Sequence, residues 1–240
     1  MTPDPAVRVA IAFARQVAHS PNARWCTACV EVLVVTGAEI TLMGGAESGP
    51  VCVSSPQVAA LEDLQFDVGE GPCRDAHVSG RPVNVPRLDR FASERWPAFV
   101  ELAEVRGIGA VFAYPLDVSG VGVGVLTVYQ AEPGDLTVAQ HDDCLVIAEV
   151  LGATILSLQA DEPAGELAAG LETAVAYRAE IYQASGVVAV QLGIPPSEAV
   201  VRIRGYAFAT SRPVSAVAAD ILAHVLRLPD DRPPSLEPQG

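Results

Sequence analysis

The stretch Asp161-Glu162-Pro163-Ala164-Gly165 constrains this chain more than any other feature. A proline breaks helical periodicity and disfavours helix in the residue before it, so one pattern cannot run through it. Upstream, β-branched runs alternate with helical stretches, which predicts an α+β domain. Downstream, apolar residues recur only at heptad and 3.6-residue spacing, which predicts an all-helical unit. The expected organisation is an N-terminal helix over 1–19, an α+β domain over 20–160, a linker over 161–166, a helical unit over 167–228 and a disordered tail over 229–240. Half of the 240 residues are hydrophobic, enough to give the chain a packed core.

In the upstream part, Cys29 to Thr36 (CVEVLVVT) and Ala38 to Leu42 (AEITL) read as two paired strands turning at Gly37. Val51 to Ser54 reads as a third strand and Ser55 to Leu64 as a short helix. The run Gly69-Glu70-Gly71-Pro72-Cys73-Arg74-Asp75-Ala76 reads as an ordered turn leading into a helix. Arg81 to Val85 is a short edge strand, because Pro82 cannot donate to a central ladder. Glu94 to Arg106 is helical, Ala110 to Pro115 and Val121 to Tyr129 are strands, and a long helix covers about 139–159. This order predicts an antiparallel sheet flanked by helices. Gly120, Gly122 and Gly124 alternate with valines inside a strand. A dinucleotide loop needs a helix after its glycines, so these mark a bulge or a close backbone approach.

The five cysteines are Cys26, Cys29, Cys52, Cys73 and Cys144. An odd count, behind an N-terminus without the basic-then-apolar order of a signal peptide, predicts reduced thiols and a cytoplasmic protein. Cys26 and Cys29 have CxxC spacing, but no second pair completes a zinc site, so they are expected as buried packing residues and no metal is assigned. No uninterrupted apolar run has the length of a membrane span, so no membrane partner is assigned.

In the downstream part, Leu167, Leu171, Ala174, Arg178, Ile181, Ser185, Val188 and Leu192 follow heptad spacing. Six of them (Leu167, Leu171, Ala174, Ile181, Val188 and Leu192) are predicted to form the seam of a homodimer. Gly193 and Pro195-Pro196 end this helix. Ser197 is expected to cap a second helix, to about Thr210, burying Ala199, Val200, Ile203 and Ala207. Ser215 is expected to cap a third, to about Leu228, burying Val217, Ile221 and Val225. The chain holds 15 Arg, no Lys and 29 acids, a net charge of −14, which argues against generic nucleic-acid coating. Residues 176–228 depart from this, with five arginines (178, 202, 204, 212, 227) against three acids (180, 198, 220), or +2.

The series Arg178, Ile181, Gln183-Ala184-Ser185-Gly186-Val187-Val188, Leu192-Gly193, Ser197-Glu198-Ala199, Ile203-Arg204, Ala207, Val217-Ala218 and Ile221 resembles the ANTAR domain, a bacterial RNA-binding antitermination module. The resemblance implies a three-helix unit that acts as a dimer and binds tandem stem-loops in nascent mRNA, with no DNA partner. It implies RNA contacts at Ala184, Ser185 and Gly186, where the family usually has Ala-Lys-Gly, and at Arg204 and Arg212. Arg202 and Tyr206, on the same helix as Arg204, are added as candidates from the residues themselves.

Residues 20–160 resemble a GAF domain through Gly69 to Ala76, Gly80-Arg81-Pro82-Val83, Arg95-Trp96-Pro97, Pro115-Leu116 and Gly124 to Tyr129. This implies a sensory input whose small-molecule ligand has no assigned chemistry; no cofactor is assigned. Together the two resemblances imply a signal-responsive RNA-binding antiterminator, without enzymatic activity. The sequence also admits two other readings. One is a sensor whose ANTAR unit only dimerises, favoured by Ser185 in place of Lys. The other is a cysteine-dependent methionine sulfoxide reductase on the GAF fold, superficially suggested by Gly71-Pro72-Cys73.

Overall fold

The computed structural model describes residues 10, 13, 24–43, 48–160, 168, 171, 178–210 and 212–229. The chain divides into two compact units between Tyr177 and Arg178.

The first unit contains helix α1 (Trp25–Leu33), strands β1 (Gly37–Leu42) and β2 (Gly49–Val53), helices α2 (Pro56–Val68) and α3 (Pro72–Ser79), strand β3 (Val83–Val85), helices α4 (Arg90–Arg95) and α5 (Pro97–Val105), strands β4 (Ala110–Val118) and β5 (Val121–Gln130), and helix α6 (Val138–Ala160). The five strands form one antiparallel sheet in the order β2-β1-β5-β4-β3. As expected, β3 lies at an edge, with Pro82 just before its first residue. The register shifts where Leu116 faces Gly124 and Asp117 faces Gly122. The valine-spaced glycines therefore serve a bulge, and a side chain on Gly124 would strike the Thr41 carbonyl of β1.

One sheet face carries Ala38, Ile40, Leu42, Ala110, Phe112, Tyr114, Leu116, Leu126 and Val128, packed with α1 and α6. The other carries Val111, Ala113, Val125 and Tyr129 and meets α2, α3 and α5. Because both faces are covered, every residue of β1 is buried. Among the described residues α6 alone is long and apolar enough to cross a membrane; its Cys144, Ile147, Leu151 and Ile155 are buried in the core beneath the sheet.

Two expectations fail here. The run from Cys29 is helical to Leu33, not a strand. Trp25, Cys26, Ala28, Cys29 and Leu33 are its buried residues, a helical spacing. Packing of that face against the sheet outweighs the strand preference of the valines, and Val34 in the left-handed region ends the helix. β1 pairs instead with β2 and β5. The second failure is the reduced state expected of Cys26 and Cys52. α1 brings Cys26 to Cys52 of β2, and the two form a disulfide. Of the expected N-terminal helix over 1–19, only Ala10 and Phe13 are described; both are helical, and Phe13 is fully buried in the core. The linker over 161–166 and residues 230–240 of the tail lie outside the described residues.

The second unit consists of α7 (Ala179–Leu192), α8 (Pro196–Ala209) and α9 (Val214–Leu222). Gly193, at φ 63°, ends α7, and α8 leaves at 103° to it. α8 starts at Pro196, with Pro195 as its N-cap residue, and α9 starts after Pro213. The fixed proline φ opens both helices, so Ser197 and Ser215 lie inside first turns and are not caps. Ile181, Ala184, Val188 and Leu192 pack with Ala199, Val200, Ile203 and Ala207 of α8 and Val214, Val217, Ala218 and Ile221 of α9 as the buried residues of the unit. α9 ends at Leu222, earlier than expected, and Val225 is exposed rather than buried.

The disulfide spans 26 residues of sequence. By loop-closure entropy it contributes about 3–4 kcal/mol. Cys26→Ser, or reduction with a dithiol, is expected to lower the unfolding free energy by about that amount in urea titrations. An unchanged midpoint would show that the bond does not form in solution.

Candidate functional sites

Inside the first unit the sheet face toward α2 and α3 is polar at its centre. Glu39 on β1 is fully buried, and Thr127 on β5 stands directly across from it. Gln65 of α2 donates through Nε2 to Glu39 Oε1 at 3.3 Å and to the Tyr129 hydroxyl at 3.4 Å, while its Oε1 accepts the Cys73 backbone N–H at 3.0 Å. One amide thus joins α2, the two central strands and the start of α3. Burial, and then the charge of nearby Glu39, hold the Tyr129 phenol well above its ordinary pKa, so it stays protonated. The hydroxyls of Thr41 and Thr127 are also buried on this face and make no hydrogen bond.

The glycine-rich turn closes around this joint. Gly69 ends α2 in the left-handed region and Gly71 has φ 133°, with the Gln65 side chain where a Cβ would stand. The Glu70 carboxylate reaches the start of α5, accepting the N–H groups of Ala98 at 2.9 Å and Phe99 at 3.3 Å. It supplies from a distance the cap that Trp96, the N-cap residue, does not provide. Asp75 accepts the Trp96 Nε1–H at 3.1 Å and pairs with Arg95 at 2.6 Å, and the Arg95 guanidinium lies 4.6 Å from the centre of the Trp96 ring. Two motifs that are separate in the sequence, Gly69 to Ala76 and Arg95 to Pro97, are one assembly in space.

The thiols outside the disulfide, Cys29, Cys73 and Cys144, are buried. Burial pushes Cys144 up to about 12. Cys29 also rises, through burial and then the neighbouring Cys144. Both are held as thiols rather than nucleophilic thiolates. Among the described residues no group of three potential ligands could hold a metal ion.

In the second unit the candidate RNA contacts separate. Ala184 and Ser185 point into the core, and the Ser185 hydroxyl donates to the Tyr182 carbonyl at 2.7 Å. Gly186 alone of that trio is at the surface, with open space where a Cβ would stand. Arg202, Arg204 and Tyr206 are half-buried along α8, and the Arg204 Nε is buried. Arg212 pairs with Asp220 at 2.6 Å and donates to the Ala216 carbonyl at 3.4 Å, so part of the local positive charge is used within the fold. Arg178 is buried.

Of the six residues predicted for the homodimer seam, four lie among the described residues. Ile181, Val188 and Leu192 are buried within the second unit, Leu171 is buried in the core of the first unit, and Leu167 and Ala174 lie outside the described residues. The part of the heptad stripe that lies on α7 is covered by α8 and α9.

Sequence reading passed over three residues. Glu39 and Gln65 form the buried joint; a lone acid in the apolar run AEITL was the available signal. Phe208 of α8 is 79% exposed. It stands seven residues from exposed Val201 and off the stripe of Ala199, Ile203 and Ala207, a position its helical angle gives.

Gln65→Leu would leave a buried carboxylate and the Cys73 N–H without their amide partner. A loss of about 3 kcal/mol is expected, read as a lower denaturation midpoint with unchanged m; a midpoint shift equivalent to under about 0.5 kcal/mol would contradict the joint. Gly186→Ala fills open space in mid-helix and should stabilise the second unit by about 1 kcal/mol, read by thermal unfolding.

A family model for the ANTAR domain matches residues 169–222, and one for the GAF domain matches residues 8–157, more than half of the chain. Among solved structures, the GAF domain of the Acinetobacter phosphoenolpyruvate-protein phosphotransferase is similar at 14% identity and TM-score 0.51, covering 68% of this chain and 99% of that one. The GAF domain of the phosphoenolpyruvate-protein phosphotransferase (ptsP) from Coxiella burnetii is similar at 19% identity and TM-score 0.50, covering 65% and 95%. At these identities the likeness concerns the fold. Comparison with curated proteins found no match. A five-stranded antiparallel sheet between helices, closed by the glycine-rich turn and followed by a three-helix unit, agrees with both matches: the chain belongs to the GAF-domain family and carries an ANTAR domain behind its GAF domain.

Proposed function

We propose that this chain is a signal-responsive, RNA-binding regulator that acts by antitermination on tandem stem-loops of nascent mRNA, with the GAF domain as its sensory input. The ANTAR match over residues 169–222, placed after a GAF domain, carries this reading. The +2 charge of residues 176–228 in a chain of net −14 supports it, because RNA binding here depends on few local contacts rather than on a general positive field. On the input side, the GAF match over residues 8–157 supports a sensory domain. The protein is proposed to be cytoplasmic and homodimeric, with a dimer contact outside Leu171, Ile181, Val188 and Leu192, because its own fold already buries them. Burial of Cys29, Cys73 and Cys144 leaves the reductase reading without an exposed nucleophile.

Titration of purified protein against an RNA of two tandem hairpins, by fluorescence anisotropy at several salt concentrations, tests the reading. Salt-sensitive binding is expected. Each lost phosphate contact should flatten the slope of log affinity against log salt by about 0.7, so Arg204→Ala should reduce it by that amount and Arg204→Lys should not. Because the Arg204 Nε is buried, the alanine variant should also unfold at a somewhat lower temperature. No binding to the tandem hairpins at low salt would favour a GAF sensor whose ANTAR unit does not bind RNA. A monomer by light scattering at micromolar concentration would remove the dimer from the proposal.

A further inference from the structure

The outward face of α8 carries an apolar stripe bounded by arginines. Val201 is 62% exposed and Phe208 79%. Gly205 lies between them on the same face, with no atom within 4 Å of where its Cβ would stand. At 100° per residue, Val201, Gly205 and Phe208 fall within about 60° of one another. Arg204 flanks the stripe on one side and Arg202 on the other, each within about 60° of its nearest member. The two arginines, about 160° apart, are therefore the opposite rims of one exposed face. Glu198 bounds the stripe at its N-terminal end, so its positive part is the turn from Arg202 to Phe208.

Resting on the RNA-binding reading above, we infer that Phe208 is a stacking platform for an unpaired RNA base, with Gly205 as the clear floor beside it and Arg204 at the neighbouring phosphate. Phe208 follows Arg204 by four residues, about one helical turn or some 6 Å along the axis, comparable with the distance from a base to its own backbone phosphate. Exposing a phenylalanine costs hydrophobic stabilisation, and a base face recovers it without sequence-specific hydrogen bonds. Tyr182 and Tyr206 are both half-buried, so Phe208 is the most exposed aromatic among the described residues of this unit. The stripe suits RNA better than an acidic or neutral protein groove, because its apolar centre is narrow and both long rims are cationic.

The test uses the full chain and two-hairpin RNAs carrying 2-aminopurine at single loop positions. Wild type should change the emission of at least one loop base. Phe208→Ala should weaken binding about tenfold and abolish that change, while Phe208→Trp restores both. Gly205→Val should block the base in the same way, and circular dichroism should show the helices of both variants intact. Wild-type affinity in Phe208→Ala would overturn the inference and leave RNA binding standing. Absence of RNA binding by the wild type would overturn both. A changed oligomeric state in Phe208→Ala with unchanged RNA affinity would assign the face to a second copy and overturn the inference.

Discussion

The side-chain amide of Gln65 is the contact on which the arrangement of the GAF domain depends. It has a donor end and an acceptor end, and both are used in the interior: the donor toward Glu39 and Tyr129 on adjacent strands, the acceptor toward the Cys73 N–H at the start of α3. A buried polar group is costly unless satisfied, so this geometry leaves little freedom in how α2, the sheet and α3 meet. Gly71 follows from it, since a side chain at that position would occupy the space of Gln65.

From that joint the glycine-rich turn propagates order outward. Glu70 caps α5 across 28 residues of sequence, and Asp75 holds the Arg95–Trp96 pair. In this chain the segments Gly69 to Ala76 and Arg95 to Pro97 thereby hold helices on one face of the sheet. The opposite face is closed by α1 and α6, with the Cys26–Cys52 disulfide tying α1 to edge strand β2.

The ANTAR domain divides its residues differently. A three-helix unit of this size has a small core, and it recruits the heptad stripe of α7 for that purpose. The same demand draws Ser185 inward and pairs Arg212 with Asp220. Outward on α8 lies a face of Val201, Gly205 and Phe208 between two arginines, and α7 exposes Gln183, Gly186 and Val190.

Much of this was legible in the sequence. Local signals determined an α+β part followed by a helical part, a short edge strand at β3, strands β4 and β5, the long α6, the helix stop at Gly193 and the inward residues of α8, because each rests on backbone chemistry or periodicity within one element. Only tertiary structure decided the rest. Cys29 to Leu33 is helical because its buried face has a sheet to pack on, which outweighs a local preference of a few tenths of a kcal/mol per residue. Cys26 meets Cys52 because α1 lies over β2, a contact that no spacing encodes. The heptad stripe could serve a second chain or the protein's own helices, since apolar periodicity states that a face is buried without naming what buries it; on α7 its residues are buried by α8 and α9. Glu39 and Gln65 recognise each other across 26 residues, and a hydrogen bond between distant side chains leaves no periodic trace in either segment.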